Sequence, residues 1–510
     1  MKYSLAIAIL ASTYAAAAPA AAPPGGDDYG ERLAFIKAAG LDKYFSLVAV
    51  KANRPMPWPS FVDLRYREFK GPRPAAPGRS AVYKTNGDLG TDAAAAVWLA
   101  FLDDDYRRNG RLLFAAGGKM PWVPEDKWIS LAEFEGRIMP RVANSPNALQ
   151  NKDVENLTRG LVNRATDLHY LSPATMLLVP GEPAKGWRPL SPRDPAWRDV
   201  YELKRAYSAR DGAAMRRYAA AAAIKLRAQP EYPSRTRLVL ELLLNKTGVL
   251  KYGFVLYVVS ALLLFLWAAL GKKPLAAAGA WVAFAGFLLI TAGLVARTIV
   301  AGYWPTTSMY EYLSLFSWAA VLFFLVFYAR TRQALVGVVV MPVAFLLLVI
   351  SSLFPSDIEG QLIPALQSWW LTIHVTLACL AEGAFAVGFG AAVLRLSTRD
   401  GAPSKYLPTR EALSVLEYRA ISIGYPLFTV GALVAGAIWA QKAWSVWWSW
   451  DPKETASLIV WFIATAYLHV RTMRGWKDAR ADVLAILIFV GAVLTLFANM
   501  IFGGLHSYGV

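Results

Sequence analysis

Two textures divide the 510-residue chain. Up to residue 247, short apolar stretches alternate with polar and Pro-rich breaks such as "RPMPWPS" and "GWRPLSPRDP". From residue 248, apolar runs long enough to cross a hydrocarbon layer recur. They lie near 250–270, 277–297, 310–329, 334–353, 370–394, 420–440, 455–470 and 482–503, eight in total. The pattern predicts an all-α polytopic membrane protein of about eight transmembrane helices, preceded by a mainly helical and irregular soluble region. Within that region, residues 197–228 predict helices with a basic face. "FLDDDYRRNGR" at 101–111 reads as a solvated charged turn. His169 is the region's only histidine and reads as ordinary. No convincing repeat and no catalytic constellation stands out there.

The first residues set the compartment. "MKYSLAIAILASTYAAAAPAAA", 1–22, has the lysine, apolar run and Ala-rich exit of a secretory signal peptide; an uncleaved anchor is the alternative. On either reading a soluble domain over 23–240 is exported, and a membrane domain over 241–510 comes after it. The linkers after runs one, three, five and seven then face the cytoplasm. They hold thirteen basic residues, from Lys272 to Arg480, whereas the outer linkers hold Arg297, Lys442 and Lys453. That asymmetry is the positive-inside rule, reached independently of the signal peptide. The expected location is a bacterial inner membrane, with the soluble domain and C-terminal residues on the periplasmic side.

Charge and cysteine usage narrow the function. Residues 1–247 carry 36 Lys and Arg against 25 Asp and Glu, and the remainder 17 against 11. No basic stripe with interleaved aromatics accompanies the excess, so loop charge and anionic lipid explain it better than nucleic acid does. Cys379 is the sole cysteine, which excludes both a disulfide framework and CxxC thiol exchange.

This topology puts "AWSVWWSWDPKETASLIVW", 443–461, on the outer face, with the loop itself at 441–455. Trp369, Trp370 and Trp439 fit an interfacial aromatic belt. Trp444, Trp447, Trp448 and Trp450 are too dense for that explanation. Asp451, Pro452 and Glu454 fit an N-cap, a first helical position and a reciprocal capping partner, so they predict where the seventh helix starts. His374 and His506 flank this loop at one membrane level. His469 lies fifteen residues beyond Glu454, about 22 Å down the seventh helix, inside the bilayer. Each histidine alone has a bland reading as a headgroup contact. Together, two imidazoles beside a flat aromatic shelf suit haem, while no further ligand completes a closed zinc site. Lys453 and Lys442 are candidate partners for haem propionates.

These residues resemble a known family. "WSVWWSWDPKETASLIVW" resembles the WWD signature of haem-handling membrane proteins in cytochrome c maturation. "WWLTIHVTLACLAEGAFAVGFGAAVLRL" resembles its outer-histidine helix, "YLHVR" its in-membrane histidine helix and "GGLHSYG" its terminal histidine motif. "GYWPTTSMYEY" resembles an early outer loop, and "LELLLNKTGVLKYGF" at 240–254 resembles the lead-in seen where CcsA-type and CcsB-type parts are fused. Order, spacing and span count resemble the CcsA (ResC) branch of the system II cytochrome c synthase, over roughly 240–510. The resemblance implies His374 and His506 as axial ligands of haem b held at the WWD loop. It implies His469 as a ligand for haem crossing the membrane, and Trp444, Trp447, Trp448, Trp450 and Asp451 as the haem platform. Haem is then the transported substrate, presented to the CxxCH thiols of apocytochrome c. The chain becomes the haem-binding subunit of a haem lyase complex with a CcsB (ResB)-like subunit and thiol-reducing proteins. Ser445, Trp447 and Ala456 depart from the usual Gly, Tyr and Trp. A system I delivery protein resembling CcmC or CcmF, a haem exporter without ligation, and an assembly factor without haem are the rival readings.

Overall fold

The computed structural model describes residues 28–45, 49–51 and 55–57, and from 93 to 506 all but short stretches, chiefly 172–176, 181–186 and 398–408. The expected signal peptide at 1–22 lies outside the described residues. The chain divides into two compact units, Met1–Leu242 and Leu243–Val510.

The first unit is helical with one addition that the sequence pattern does not predict. Three short antiparallel ladders pair Ala49–Lys51 with Pro55–Pro57, Leu113–Ala115 with Lys127–Ile129, and Leu178–Pro180 with Trp187–Pro189. Three-residue strands are too short to show a period-two alternation. The basic helices appear as Trp197–Ser208 and Gly212–Arg227, the second capped by Asp211. The charged stretch at 101–111 is not a solvated turn. Asp103 caps a short helix, Asp104–Asn109, that buries Tyr106. The Asp103 carboxylate also receives Arg32 at 3.0 Å and the Tyr207 hydroxyl at 2.5 Å. Distant partners turn a run of like charge into a tie. His169 pairs with Glu135 at 3.0 Å.

The second unit has eight helices long and apolar enough to cross a membrane. They are α1 (Tyr252–Leu270), α2 (Lys273–Ala301), α3 (Met309–Thr331), α4 (Ala334–Ser351), α5 (Trp369–Ser397), α6 (Arg410–Trp444), α7 (Pro452–Met473) and α8 (Ala479–Phe502). A bilayer offers no partners for free backbone groups, so each crossing closes its own hydrogen bonds as a helix. Where starts are capped, the residue type is the expected one: Ser308, Thr409, Asp451 and Asp478 each accept from an N–H of the first turn. All eight expected spans are present. The sixth begins ten residues earlier than its apolar run, because Glu417 is buried and accepts from Tyr467 of α7 at 2.8 Å. A second internal tie joins Arg395 of α5 to Asp482 of α8 at 2.7 Å, both buried. Removing one member of such a pair typically costs about 3–5 kcal/mol.

α5 is the central helix, packed on α3, α4, α6 and α8, while α7 rests mainly on α8. Near one end of the bundle, Arg297 of α2 donates to Glu311 at 2.6 Å and to the Ser356 carbonyl at 2.7 Å. Glu311 in turn receives the Thr307 amide and hydroxyl at 2.9 Å. This buried ion pair joins the end of α2 and the loop before α3 to the segment that follows α4.

Candidate functional site

At the tryptophan-loop end of the bundle, α5 presents His374 to α6. There α6 departs from α-helical geometry: residues Thr429–Ala435 form a π-helical segment. The Gly431 carbonyl accepts both the Gly436 N–H and, at 2.9 Å, Nδ1 of His374. A carbonyl can only accept, so Nδ1 carries the hydrogen and Nε2 keeps its lone pair. Two glycines make the approach possible. A Cβ on Gly431 would overlap Leu377 Cβ and stand 2.9 Å from the Ala378 amide nitrogen; one on Gly436 would stand 3.0 Å from His374 Nδ1.

His506 is held from a different direction. Asp451 precedes α7, is 4% exposed and gathers four donors. Oδ1 receives the Lys453 amide at 3.0 Å and His506 Nδ1 at 2.9 Å; Oδ2 receives Asn499 Nδ2 at 3.0 Å and the Leu505 amide at 2.6 Å. Glu454 reaches back to the Asp451 amide at 3.3 Å and the Ser449 amide at 2.7 Å, completing the expected capping box with Pro452 in the first turn. Burial opposes charge on Asp451, yet the hydrogen bond and charge of His506, with Asn499 and the Lys453 amide, hold its carboxyl well below the usual range. An ionised carboxylate donates nothing, so His506 also carries hydrogen on Nδ1, and its neutral form keeps a lone pair on Nε2. Gly503 and Gly504, at φ +73° and +136°, turn the chain back beyond α8 and let it pass close to Asp451.

One indole joins the two histidines. Trp439, 2% exposed, donates through Nε1 to the Ala365 carbonyl at 2.8 Å. Its ring lies nearly parallel to His374, with centroids 5.8 Å apart and planes at 10°. It meets His506 at 5.3 Å and 56°, and Trp444 edge-on at 4.9 Å. Trp444 also contacts His506, at 5.1 Å. His374, His506, Asp451 and Trp444 are therefore brought together. Trp447 and Trp450 are 59% and 68% exposed, and Trp448 contacts Trp450 at 5.9 Å. Among the described residues these three make no ring contact with either histidine. His469 is exposed on α7, far from this end. The sequence pattern does not mark Trp439, Gly431, Gly436 or Asn499 as functional. The usable signal is the Gly431–Gly436 spacing of five, the step of a π-helical bond, opposite a histidine in an apolar span.

Among the described residues no group of three or more His, Cys, Asp or Glu side chains is placed to hold a metal ion. Two imidazole nitrogens beside packed indoles instead fit a planar metal complex that brings its own equatorial donors.

Residues 306–506 match the model of a family described as cytochrome C assembly protein. The cytochrome c biogenesis protein CcsA of Gloeobacter violaceus is 34% identical over 318 residues, covering 50% of this chain and 94% of the relative. That of Prochlorococcus marinus is 33% identical over 299 residues, covering 51% and 94%; that of Guillardia theta is 36% identical over 248 residues, covering 44% and 82%. A solved structure, cytochrome c heme lyase CcmF, is 20% identical with a TM-score of 0.42, covering 52% of this chain and 48% of its own.

Proposed function

This chain belongs to the CcsA family of cytochrome c biogenesis proteins, and from that premise we infer that its tryptophan-loop end holds haem b between His374 and His506 for transfer to an apocytochrome. One observation carries the reading. Both imidazoles spend Nδ1 on hydrogen bonds to the protein, so both offer Nε2 as an axial ligand. Trp439 and Trp444 wall the ligand pocket, while Trp447, Trp448 and Trp450 extend it towards the incoming partner. In this reading the tryptophan loop is periplasmic, residues 23–240 form the exported domain, and the pathway is system II. His469, exposed on α7, takes haem within the membrane together with a histidine from a CcsB-like subunit.

The chemistry asked of the protein is placement. Each cysteine S–H of a CxxCH segment adds across one haem vinyl group: sulfur bonds to one carbon, hydrogen to the other, and no electron is gained or lost. Holding thiol and vinyl in contact converts an encounter in water into an intramolecular step. Thiol-reducing proteins keep those cysteines as S–H.

Absorption spectroscopy of the protein purified with its CcsB-like partner tests the reading. A Soret band is expected, and it should be lost or shifted in His374→Ala and His506→Ala. A band indifferent to both substitutions would remove the ligand assignment. Reconstitution with a CxxCH substrate, scored for covalent haem, separates a lyase subunit from an exporter.

A further inference from the structure

Two lysines flank the tryptophan loop, and the structure treats them differently. Lys442 is exposed on α6, where water solvates it. Lys453, second residue of α7, is partly buried. Its backbone is fixed, because its N–H is shared by Asp451 Oδ1 at 3.0 Å and Asn499 Oδ1 at 3.1 Å. Its ammonium lies within electrostatic reach of Asp451, Glu382 and His374. Among the described residues that ammonium makes neither a hydrogen bond nor an ion pair.

Neither neighbouring carboxylate contacts the ammonium, although Oε2 of Glu382 is itself buried without a hydrogen-bond partner. The two oxygens of Asp451 already receive four donors. Glu382, 2% exposed on α5, is held through Oε1 by the Tyr312 hydroxyl at 2.8 Å. A cation taken out of water without a contacting anion carries an uncompensated desolvation penalty. Such a group is explained when its counter-ion arrives with a ligand. Haem suits this: the macrocycle is apolar except for two carboxylates along one edge, and the backbone of Lys453 is bound to Asp451, the carboxylate that also holds His506.

We propose that Lys453 recognises the carboxylate edge of haem, its ammonium pairing with a propionate when the iron lies against His374 and His506. The proposal rests on the haem reading above and adds a specificity element to it: the site selects a porphyrin with free carboxylates and orients that edge towards the start of α7. The opposite edge then faces away from α7, which fixes where a substrate thiol must approach.

The test compares ferric haem with its dimethyl ester, which keeps the iron, ring and vinyl groups but has no anionic edge. Detergent-purified protein, with its partner subunit, is titrated with each and read by Soret absorbance. A charge-assisted hydrogen bond of about 1.5–3 kcal/mol predicts roughly tenfold to hundredfold preference for haem in the wild type. The ratio should fall to about one in Lys453→Gln and recover in Lys453→Arg. Equal affinity of the wild type for both compounds, or an unchanged ratio in Lys453→Gln, overturns the proposal while leaving the haem site standing. Binding of neither compound by the wild type refutes the haem site itself. Should Lys453→Gln fail to accumulate, acylation of the wild-type lysine followed by mass spectrometry decides. Haem should slow labelling of Lys453 and the ester should not; equal labelling rates with the two overturn the proposal.

Discussion

Replacing Asp451 by Asn changes one oxygen to NH2 and is nearly isosteric. Its effect comes from counting donors. Four N–H groups converge on the carboxylate, from Lys453, His506, Asn499 and Leu505. An ionised carboxylate has about four lone-pair sites, whereas an amide has one accepting oxygen and two hydrogens of its own. The backbone donors at Lys453 and Leu505 cannot adapt, but His506 can. With the Asn amide facing it, His506 accepts on Nδ1 and moves its hydrogen to Nε2, which ends its use as a ligand. In the wild type, the charge-assisted bond favours the competent tautomer by about 1.5–3 kcal/mol. Losing that preference should lower haem affinity roughly tenfold to hundredfold, the range typical for partners of ligating histidines. Titration with haem, monitored at the Soret band, reads the change. Added imidazole, able to replace the lost axial nitrogen, should restore the low-spin spectrum. Wild-type affinity in Asp451→Asn would refute the tautomer argument. A loss that imidazole does not repair would mean that the substitution acts on folding instead.

Three more substitutions have definite expected outcomes. Gly431→Ala places a methyl group against Leu377 and Ala378 and should push α6 off α5; a loss of about 1–3 kcal/mol is expected by thermal unfolding in detergent, with loss of haem binding. Ser445 has φ +65° at the end of α6, the conformation for which the family's usual glycine is suited, so Ser445→Gly should stabilise by about 0.5–1 kcal/mol in the same assay. In the first unit, Arg188 hydrogen bonds hold Asp194 at a pKa of about 2. Because the folded value is depressed, this stabilisation is complete above the ordinary pKa near 4 and disappears as pH falls through 2. Arg188 is half exposed, so about 0.5–1 kcal/mol is expected, seen as pepsin resistance that declines over that window in the wild type and is already low and flat in Asp194→Asn.

The eight spans are legible in the sequence because a bilayer leaves few alternatives to long apolar helices. The start of α7 is legible for a local reason: Asp451, Pro452 and Glu454 interact within one turn. The features that sequence conceals depend on distant partners or on geometry without a composition. Trp439 has the sequence context of a belt tryptophan, and its burial arises only when α5 and the residues after α8 close around it. The π-helical segment sits in an almost wholly apolar stretch, where a change in helical period moves no polar residue and its one trace is the Gly431–Gly436 spacing. The charged beginning of α6 resembles a loop because Glu417 finds Tyr467 fifty positions away. Density alone makes one shelf of the loop tryptophans, whereas ring contacts set Trp444 beside His506 with Trp439, and exposure sets Trp447 and Trp450 outside.

The tie between Asp451 and His506 spans 55 positions, and it sets an order of events during biosynthesis. Asp451 is synthesised before α8, whereas His506 comes after it. A nascent chain with seven helices inserted already has His374 and Trp439 but lacks the second imidazole and the donors that keep Asp451 satisfied. On the proposed haem reading, such a chain would not grip iron from both sides. An arrested or misinserted polypeptide would then not trap the cofactor, and completion of membrane insertion would license its loading.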